Sequence, residues 1–557
     1  MHLRLSAVAA VSALCVVNAF ASDGHTKWIL KPSIPIVPLE HTGPVASRNG
    51  TVLPPYNTTY FFQQLIDHNN PSLGTFTQRY WHTSEFYEEG GPIILFTPGE
   101  DNASPYTGYL TNATINGLIA QQVNGAVVLL EHRFFGLSNP LPDLTVESLK
   151  LLTTQQAIDD FEYFSKNVVL PMTNGNKISS ATTPWILTGG SYSGALTSWT
   201  MVNKPGLFAA GYASSAVVEA IVDFWEYFEP MRLHMPANCS ADIQRVIAHV
   251  DEVFTGSDQT AIQAIKDNFG IGNVTHLDDV ASALKTNFGA WQRLLMSAGP
   301  GAPFFQFCDA LEVKNSVSAP AEGWGLDHAL AAWGSYWITT FLAQICGDDD
   351  PEDCIGTYNA SQPYYTDTSI DNADRSWQWM VCNEFSWFHE SAPIGHLTMV
   401  SRLAKPSRDL RQCGYMFPGY TGTPNVARTN SAYRGWNISV PNLFFANGER
   451  DPWRYATVSA PGVTVKSTPS QPIAVGEGYH CGDLRTSFLL SYSAKGNITD
   501  EPPLNSFLKV FREGAANPSI AAVQAQALSS IKTWLAAWKS AEAKREVAMG
   551  GESGVWL

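Results

Sequence analysis

Short apolar runs alternate with helical patterns in the first part of the chain. The strand-like runs are PIILFTPGE (92–100), GAVVLLEHRFFG (125–136), PWILTGGS (184–191) and GLFAAGYASSAV (206–217). Between the second and third runs, Ala157, Ile158, Phe161 and Phe164 recur at the spacing of one helix face. Apolar runs that alternate with helices are typical of a parallel sheet covered on both faces.

The pattern changes between about residue 220 and residue 420. Helical spacing dominates there, aromatic residues are dense, and most of the cysteines cluster. Strand-like runs return with VPNLFFANGERDPW (440–453) and QPIAVGEGYHCGDLR (471–485), and an amphipathic helical pattern follows at 521–546. This order predicts an α/β fold whose core is interrupted by a helical insertion.

These changes divide the chain into consecutive segments. They are a signal peptide (1–21), an N-terminal arm or pro-segment (22–55), a first core part (56–220), a helical cap insertion (221–420) and a second core part (421–557). The signal peptide is predicted because Arg4 precedes an apolar stretch and Ala19-Phe20-Ala21 fits a cleavage site. The Pro-, Thr-, Ser- and Gly-rich composition of 22–55 does not distinguish a permanent arm from a removed pro-segment.

Composition excludes some classes of function. With 557 residues, 45% hydrophobic and 15% charged, the chain is a large globular protein with a thinly charged surface. A net charge of −16 argues against a nucleic acid partner, because phosphate binding needs a basic face. No stretch after the signal peptide is long and apolar enough for a membrane span. We therefore expect a secreted protein, or one delivered to a vacuole or lysosome, that is a monomer or homodimer.

Sequons and cysteines agree with a secretory route. Glycosylation is predicted at Asn49, Asn57, Asn102, Asn112, Asn238, Asn273, Asn359, Asn437 and Asn497. Cys15 leaves with the signal peptide, and the odd number of remaining cysteines implies one unpaired thiol. Pairing in chain order gives the hypothesis Cys239–Cys308, Cys346–Cys354 and Cys382–Cys413, although spacing does not determine connectivity. No zinc-like cluster is evident, and neither a metal nor a cofactor is expected.

The stretch WILTGGSYSGALTSW (185–199) resembles a strand that turns sharply into a helix. A nucleophile elbow follows the pattern G-x-S-x-G, which exposes the serine at the turn. Ser191 has the position of the nucleophile, but Ser193 stands where the last glycine is expected. On this motif alone, an ordinary serine in a glycine-rich turn is the better explanation.

Two later residues supply the partners that a catalytic serine needs. A histidine must take the hydroxyl proton, and a carboxylate must orient that histidine. In α/β-hydrolases these residues follow in the order Ser, Asp, His, each in a loop after a strand. Asp451 and His480 follow strand-like runs in this order. Singly, Asp451 before proline could cap a turn and His480 could be structural, but the combination with Ser191 favours a catalytic triad.

Six short motifs lie in order on both sides of the insertion. They are EHRFFGLSNP, LTTQQAIDDFEYF, GGSYSGAL, GYASSAVV, NGERDPW and GYHCGDLR. Each resembles a motif of the prolyl carboxypeptidase and dipeptidyl peptidase II family of serine peptidases. The resemblance implies an α/β-hydrolase core with an inserted helical, disulfide-bonded cap, and cleavage of peptide bonds after proline. It also implies that Ser191, Asp451 and His480 are the catalytic residues.

The same resemblance bears on the rest of the site. The oxyanion hole is expected to use the backbone N–H of Tyr192 and a second one from Glu100 or Asp101, where the family has G-N-E. Ser193 departs from the elbow of the family, but it is small and Gly194 remains. Cys481 replaces the second histidine of a His-His pair in the family and is the expected free thiol.

Aromatic residues are candidates for a proline pocket. Trp453 follows Asp451 closely, and WQWMVCNEFSWF (377–388) resembles a cap segment of the family that implies substrate contacts for Phe385 and Trp387. The alternative is that these rings belong to the cap core. Glu384 in the same segment either binds the amino terminus of a substrate or braces the cap.

The sequence thus predicts a secreted, glycosylated serine peptidase that cleaves proline-containing peptides or proteins on the carboxyl side of proline and prefers acid. Acid preference rests on the family and on composition. A lipase or esterase on the same core is an alternative, against which the predicted proline-pocket tryptophan argues. A catalytically inactive binding ectodomain is a third, against which the intact Ser, Asp and His argue. Removal of carboxyl-terminal residues, removal of amino-terminal dipeptides and internal cleavage all stay open.

Overall fold

The apolar runs of both core segments come together in one sheet. The structure is a computed structural model that describes residues 31–39, 43–296, 299–420, 422, 424–486 and 517–552. The predicted signal peptide, most of the first half of the predicted arm and the sequon at Asn497 lie outside the described residues.

The strands are short and those of the central sheet are mostly buried. In chain order they are β1 (Tyr60–Leu65), β2 (Thr75–Thr83), β3 (Ile93–Phe96), β4 (Ala126–Leu130), β5 (Trp185–Gly190), β6 (Ala210–Ser214), β7 (Ile221–Asp223), β8 (Val313–Lys314), β9 (Val317–Ser318), β10 (Ser386–Phe388), β11 (Leu443–Gly448) and β12 (Ile473–Gly476).

The central sheet has eight strands in the order β1-β2-β4-β3-β5-β6-β11-β12. From β4 to β12 every neighbouring pair is parallel, as predicted. The edge strands β1 and β2 run antiparallel, and sequence analysis did not assign them. Residues of β1 alternate between exposed and more buried positions, a weaker signal than the continuous apolar runs of the central strands. The predicted α/β-hydrolase core is confirmed.

The helices of the core cover both faces of this sheet. They are α1 (Ile115–Val123), α2 (Val146–Leu149), α3 (Thr154–Asn167) and α4 (Ser191–Asn203). The helices of the middle region are α5 (Glu229–His234), α6 (Ala237–Thr255), α7 (Gln259–Asn268), α8 (Leu277–Leu284), α9 (Gly289–Gln292), α10 (Pro303–Glu312), α11 (Leu326–Tyr336), α12 (Ala343–Cys346), α13 (Pro351–Ile355), α14 (Pro363–Thr366), α15 (Ala373–Met380) and α16 (Pro406–Met416). Two more follow, α17 (Val426–Tyr433) and α18 (Pro518–Glu552). No helix among the described residues is both long and apolar enough to cross a membrane.

Alternate residues of the buried strands serve two hydrophobic cores. Ile93 and Leu95 face a core that includes Phe161 of α3 and continues into the cap. Ile94 and Phe96 face the opposite side of the sheet, where α1 and α18 pack. Because the side-chain period of a strand is two residues, each central strand stabilises both layers.

The middle region is tied together by a small sheet and by its own disulfides. Strands β7 and β10 pair in parallel, so a segment just after β6 joins a segment far along the cap. The disulfides Cys239–Cys308, Cys346–Cys354 and Cys382–Cys413 all form, which confirms the pairing hypothesis. Cys481 is the free and buried cysteine.

Glycosylation stays a prediction, and the described sequons differ in accessibility. The exposed ones are Asn49, Asn57, Asn273, Asn359 and Asn437. Asn102, Asn112 and Asn238 are half-buried, and the Asn102 side-chain amide donates a hydrogen bond to Asp371.

Glu312, the last residue of α10, is buried, and its raised pKa leads us to expect that the stability of the protein depends on pH. Burial, reinforced by Asp242, raises the pKa of Glu312 to about 7. Because the folded pKa exceeds the unfolded one, this stabilising contribution is complete below the ordinary glutamate pKa and is lost as pH rises through about 7. Glu312→Gln does not titrate, so its melting temperature should fall less between pH 5 and pH 8 than that of the wild type. Glu147→Gln, which alters an exposed glutamate, should behave like the wild type. An equal fall in Glu312→Gln would contradict the assignment.

Candidate active site

The turn between β5 and α4 places Ser191 at a strained backbone position. Ser191 has a φ of +60°, which is uncommon for a residue other than glycine. The turn needs a glycine before it, since a Cβ at Gly190 would lie 2.6 Å from Leu484 Cδ1. The hydroxyl of Ser193 donates to the Gly190 carbonyl at 2.8 Å and accepts from the Gly190 N–H at 3.0 Å. Ser193 therefore stabilises the elbow through these two hydrogen bonds.

The loops after β11 and β12 bring Asp451 and His480 to this elbow. His480 Nε2 lies 2.7 Å from Ser191 Oγ, and His480 Nδ1 lies 2.8 Å from Asp451 Oδ1. The Trp453 N–H donates to the same carboxylate oxygen at 2.8 Å. The three side chains thus form a continuous hydrogen-bonded chain, an arrangement in which the histidine can take the serine proton.

Burial and charge act in opposite directions on His480. Burial disfavours the charged imidazole, but Asp451, assisted by Cys481, outweighs it and raises the pKa of His480 well above its ordinary value. A general base must be neutral before it accepts a proton. Activity that uses His480 should therefore increase as pH rises through its pKa.

The predicted oxyanion loop lies against the elbow. Gly99, with a φ of +87°, approaches α4 so closely that a Cβ there would lie 3.1 Å from Tyr192 Cδ1 and 3.3 Å from Ser193 Cβ. Glu100 and Asp101 follow Gly99 directly. Tyr192 is the second residue of α4, in the first turn, where backbone N–H groups have no partner within the helix. The two predicted donor segments are therefore adjacent, while their oxyanion role stays a prediction.

Aromatic rings extend from the triad into the cap. The Trp453 ring centre lies 6.2 Å from that of His480 and 5.8 Å from that of Trp387, to which it is nearly perpendicular. Phe385 stacks on Trp387 at 4.7 Å and on Trp199 of α4 at 5.4 Å. Trp453 therefore lies next to His480, and Trp387 packs edge-to-face against Trp453. Phe385 is one layer further away and belongs to the cap–core packing.

Gln292 and Tyr227 complete this region and were missed by sequence analysis. Gln292 Oε1 accepts from Trp453 Nε1 at 2.7 Å and from the Tyr227 hydroxyl at 3.0 Å. The Tyr227 ring lies 5.2 Å from that of Trp453. Both residues come from the cap, and no local motif marks them. The dense aromatic stretch around Tyr227 is the one signal that could have indicated it.

Glu384 connects the cap to the core. Its carboxylate accepts hydrogen bonds from the backbone N–H and the hydroxyl of Thr154, at the beginning of α3. Of the two roles left open for Glu384, this geometry supports bracing of the cap.

Residues 31–39 of the N-terminal arm lie over the site. The Lys31 carbonyl accepts from Gln292 Nε2 at 2.8 Å, and the Lys31 ammonium pairs with Asp101 of the core and Asp374 of the cap. Further along the arm, Ile34 Cγ2 would lie 2.8 Å from a Cβ at Gly190. Ser191 is fully buried and His480 is 3% exposed. The arm therefore covers part of the elbow that carries Ser191.

Cys481 packs behind the elbow. Its Sγ would lie 3.1 Å from a Cβ at Gly190, and its backbone N–H donates to Ser215 Oγ at 3.0 Å. Burial raises the pKa of the Cys481 thiol, which keeps it protonated and unreactive. Within the described ranges, no group of three or more His, Cys, Asp or Glu side chains could hold a metal ion.

Comparison with known proteins finds a matching family and several similar proteins. A family model described as serine carboxypeptidase S28 matches residues 63–488. Serine protease vicPa of Bipolaris victoriae is 37% identical over 438 residues, covering 75% of this chain and 82% of that protein. A probable extracellular serine carboxypeptidase of Arthroderma benhamiae is 30% identical over 71% of this chain and 57% of that protein. Among solved structures, a putative aryl esterase from Burkholderia cenocepacia has a TM-score of 0.27 at 11% identity, covering 76% of this chain and 93% of that one.

The contact between His480 and Asp451 predicts a large loss of rate in Asp451→Asn. An amide can accept the Trp453 N–H but cannot stabilise an imidazolium, and the wrong tautomer of His480 is then favoured. We expect kcat to fall about 10⁴-fold with KM changed little. Steady-state kinetics on a folded variant, checked by its melting temperature, tests this expectation. A loss below tenfold would remove Asp451 from the triad.

The ion pairs of Lys31 predict that this residue restricts access to Ser191. Lys31→Met removes the contacts with Asp101 and Asp374, so the arm should leave the site more often. Covalent labelling of Ser191 by diisopropyl fluorophosphate should become about two- to fivefold faster, as expected for one partly exposed ion pair. Lys204→Met, which removes ion pairs on the far side of α3, is the matched control. Equal labelling rates in both variants would show that the arm does not limit access.

Proposed function

The chain belongs to the serine carboxypeptidase S28 family, and we propose that this serine peptidase hydrolyses bonds on the carboxyl side of proline, is secreted, and works best in acid. Secretion is supported by the predicted signal peptide, by three disulfides and by a relative named as extracellular. Peptides or proteins that contain proline are the proposed substrates.

The proposed reaction uses an acyl-enzyme. Ser191 Oγ attacks the carbonyl carbon of the scissile bond while His480 Nε2 takes the hydroxyl proton. Asp451 stabilises the resulting imidazolium, and backbone N–H groups of Tyr192 and of the Glu100–Asp101 loop stabilise the oxyanion. His480 then protonates the leaving amine. Water, activated by the same histidine, hydrolyses the acyl-enzyme and restores Ser191.

The single observation that supports proline specificity is the pair of tryptophan walls at the triad. Trp453 follows the catalytic aspartate by two residues and stands almost perpendicular to Trp387. The pyrrolidine ring of proline is compact and apolar and has no N–H in a peptide bond, so apolar aromatic surfaces suit it. Gln292 accepts a hydrogen bond from the indole N–H of Trp453 and so holds that ring in position. An enclosed slot of this kind also disfavours the long acyl chains that a lipase must accept.

A peptide assay tests the specificity and the mechanism separately. In Trp453→Phe the ring is smaller and the hydrogen bond to Gln292 is lost. We expect kcat/KM for a substrate with proline before the cleaved bond to fall about tenfold or more, since a misplaced wall weakens transition-state binding. Hydrolysis of 4-nitrophenyl acetate, which does not fill the slot, should change less than about threefold. Equal losses on both substrates would contradict a proline slot at Trp453.

A long peptide with an internal proline resolves the mode of cleavage. The wild type and Ser191→Ala are incubated with it at pH 4 and pH 7, and the fragments are mapped by mass spectrometry. Fragments from one end only would identify an exopeptidase, and internal fragments an endopeptidase. Cleavage by Ser191→Ala at the wild-type rate would refute the acyl-enzyme mechanism.

A further inference from the structure

Glu100 is a buried carboxyl next to the triad that the reaction described above does not use. It follows Gly99 in the loop after β3 and is fully buried. No other residue in the part of the chain that the structure describes donates a hydrogen bond to either of its carboxyl oxygens. An unpaired buried carboxylate is costly, so such a group needs an explanation in a native fold.

The charged groups around Glu100 do not neutralise it. Asp101 is the adjacent acid, and Lys31 of the arm is engaged by Asp374 and Asp101. His480 lies within electrostatic reach from the opposite side. Tyr106 and Tyr192 also face Glu100, and both phenols are neutral because burial raises their pKa values.

This environment keeps Glu100 protonated in acid. Burial, reinforced by Asp101, raises the pKa of Glu100 well above its ordinary value, and the opposing effects of its own backbone N–H, of Lys31 and of His480 are smaller. The carboxyl is therefore neutral below that raised pKa and becomes an anion above it. The neutral form requires no counter-ion, which explains how the site tolerates a carboxyl without partners.

We propose that Glu100 is a positioning residue whose uncharged side chain is required for acylation of Ser191, and whose ionisation sets the alkaline limit of activity. The inference rests on the serine peptidase function proposed above. An anion at Glu100 is buried within the loop that is proposed to face the developing oxyanion, so it repels that charge. It also stabilises the imidazolium of His480 and so makes His480 a poorer base at the beginning of the reaction.

Two ionisations then bound the active pH range. His480 must lose its proton, which gives the acid limb, and Glu100 must keep its proton, which gives the alkaline limb. Activity is confined to the interval between them, as in any bell-shaped profile. A buried carboxyl of this kind supplies an alkaline limit that a Ser-His-Asp triad alone does not have.

The test compares pH profiles of the wild type, Glu100→Gln, Glu100→Asp and Glu312→Gln. Glu100→Gln is uncharged at every pH, so its alkaline limb should move upward by at least about one pH unit. Glu100→Asp keeps a titratable carboxyl and should keep an alkaline limb. Glu312→Gln is the matched control, because Glu312 is also buried without partners but lies in the cap, away from the triad. Its catalytic profile should coincide with that of the wild type.

Each profile is measured with two readouts, cleavage of a proline peptide and the rate of Ser191 labelling by diisopropyl fluorophosphate. Labelling needs the triad and the oxyanion hole but no proline slot. The alkaline limb of the labelling rate could shift in Glu100→Gln while no variant cleaves the proline peptide. That result would refute the proposed specificity and support the role of Glu100. An unchanged alkaline limb in Glu100→Gln would overturn the role of Glu100.

The wild type provides an independent test if a Glu100 variant fails to fold. The alkaline limb is measured at several temperatures, and the enthalpy of ionisation is taken from its shift. A carboxyl ionises with an enthalpy near zero, whereas imidazole and ammonium groups have large positive values. A nearly temperature-independent limb supports Glu100, and a strongly temperature-dependent limb overturns the proposal.

Discussion

The hydrogen bond between His480 and Asp451 depends on the way in which the sheet is built. Both residues are buried, and a buried carboxylate is tolerated only with a partner. Strands β11 and β12 are parallel neighbours, so the loops that follow them leave the sheet at the same edge and bring the two side chains to 2.8 Å. Strand β5 ends at that edge as well and supplies Ser191. The parallel order of the central strands is thus the condition for the triad, and the cap is inserted where it does not interrupt that order.

Burial of the site also affects the pKa values of the other ionisable groups near the triad. Low polarity strengthens the attraction between Asp451 and His480, and it also raises the pKa of carboxyls such as Glu100, Glu384 and Asp483. Asp483 and Glu384 have hydrogen-bond donors, from Tyr212 and from Thr154 respectively. Glu100 has no such side-chain donor, and its neutral form avoids the free-energy cost of a buried charge. Asp451 thus makes His480 a stronger base, whereas burial raises the pKa of Glu100, the group proposed to set the alkaline limit.

The core and the triad could be predicted because their signals are local. Each catalytic residue follows an apolar strand-like run, and the elbow at Ser191 has a motif of its own. The antiparallel edge strands were missed because one of their faces is exposed and their pattern is weak. Gln292, Tyr227 and Lys31 were missed for a different reason. Their roles arise from contacts between the cap, the arm and the Asp451 loop, which are far apart in the chain, and no short pattern records such contacts. Glu384 shows the intermediate case, since its segment and the segment of Thr154 were both recognised but the contact between them was not.

The proposed substrate slot belongs to neither domain alone. Trp453 comes from the core and Trp387 from the cap, and Gln292 of the cap fixes Trp453 while it also binds the arm at Lys31. Any opening that lets a peptide reach Ser191 therefore has to disturb contacts that shape the slot. Closure over a bound substrate would restore the slot and exclude water from the triad in one movement. In such an arrangement, the proposed specificity and access are coupled, because a side chain that does not fit beside Trp453 also prevents the closed state in which His480, Asp451 and Ser191 are buried.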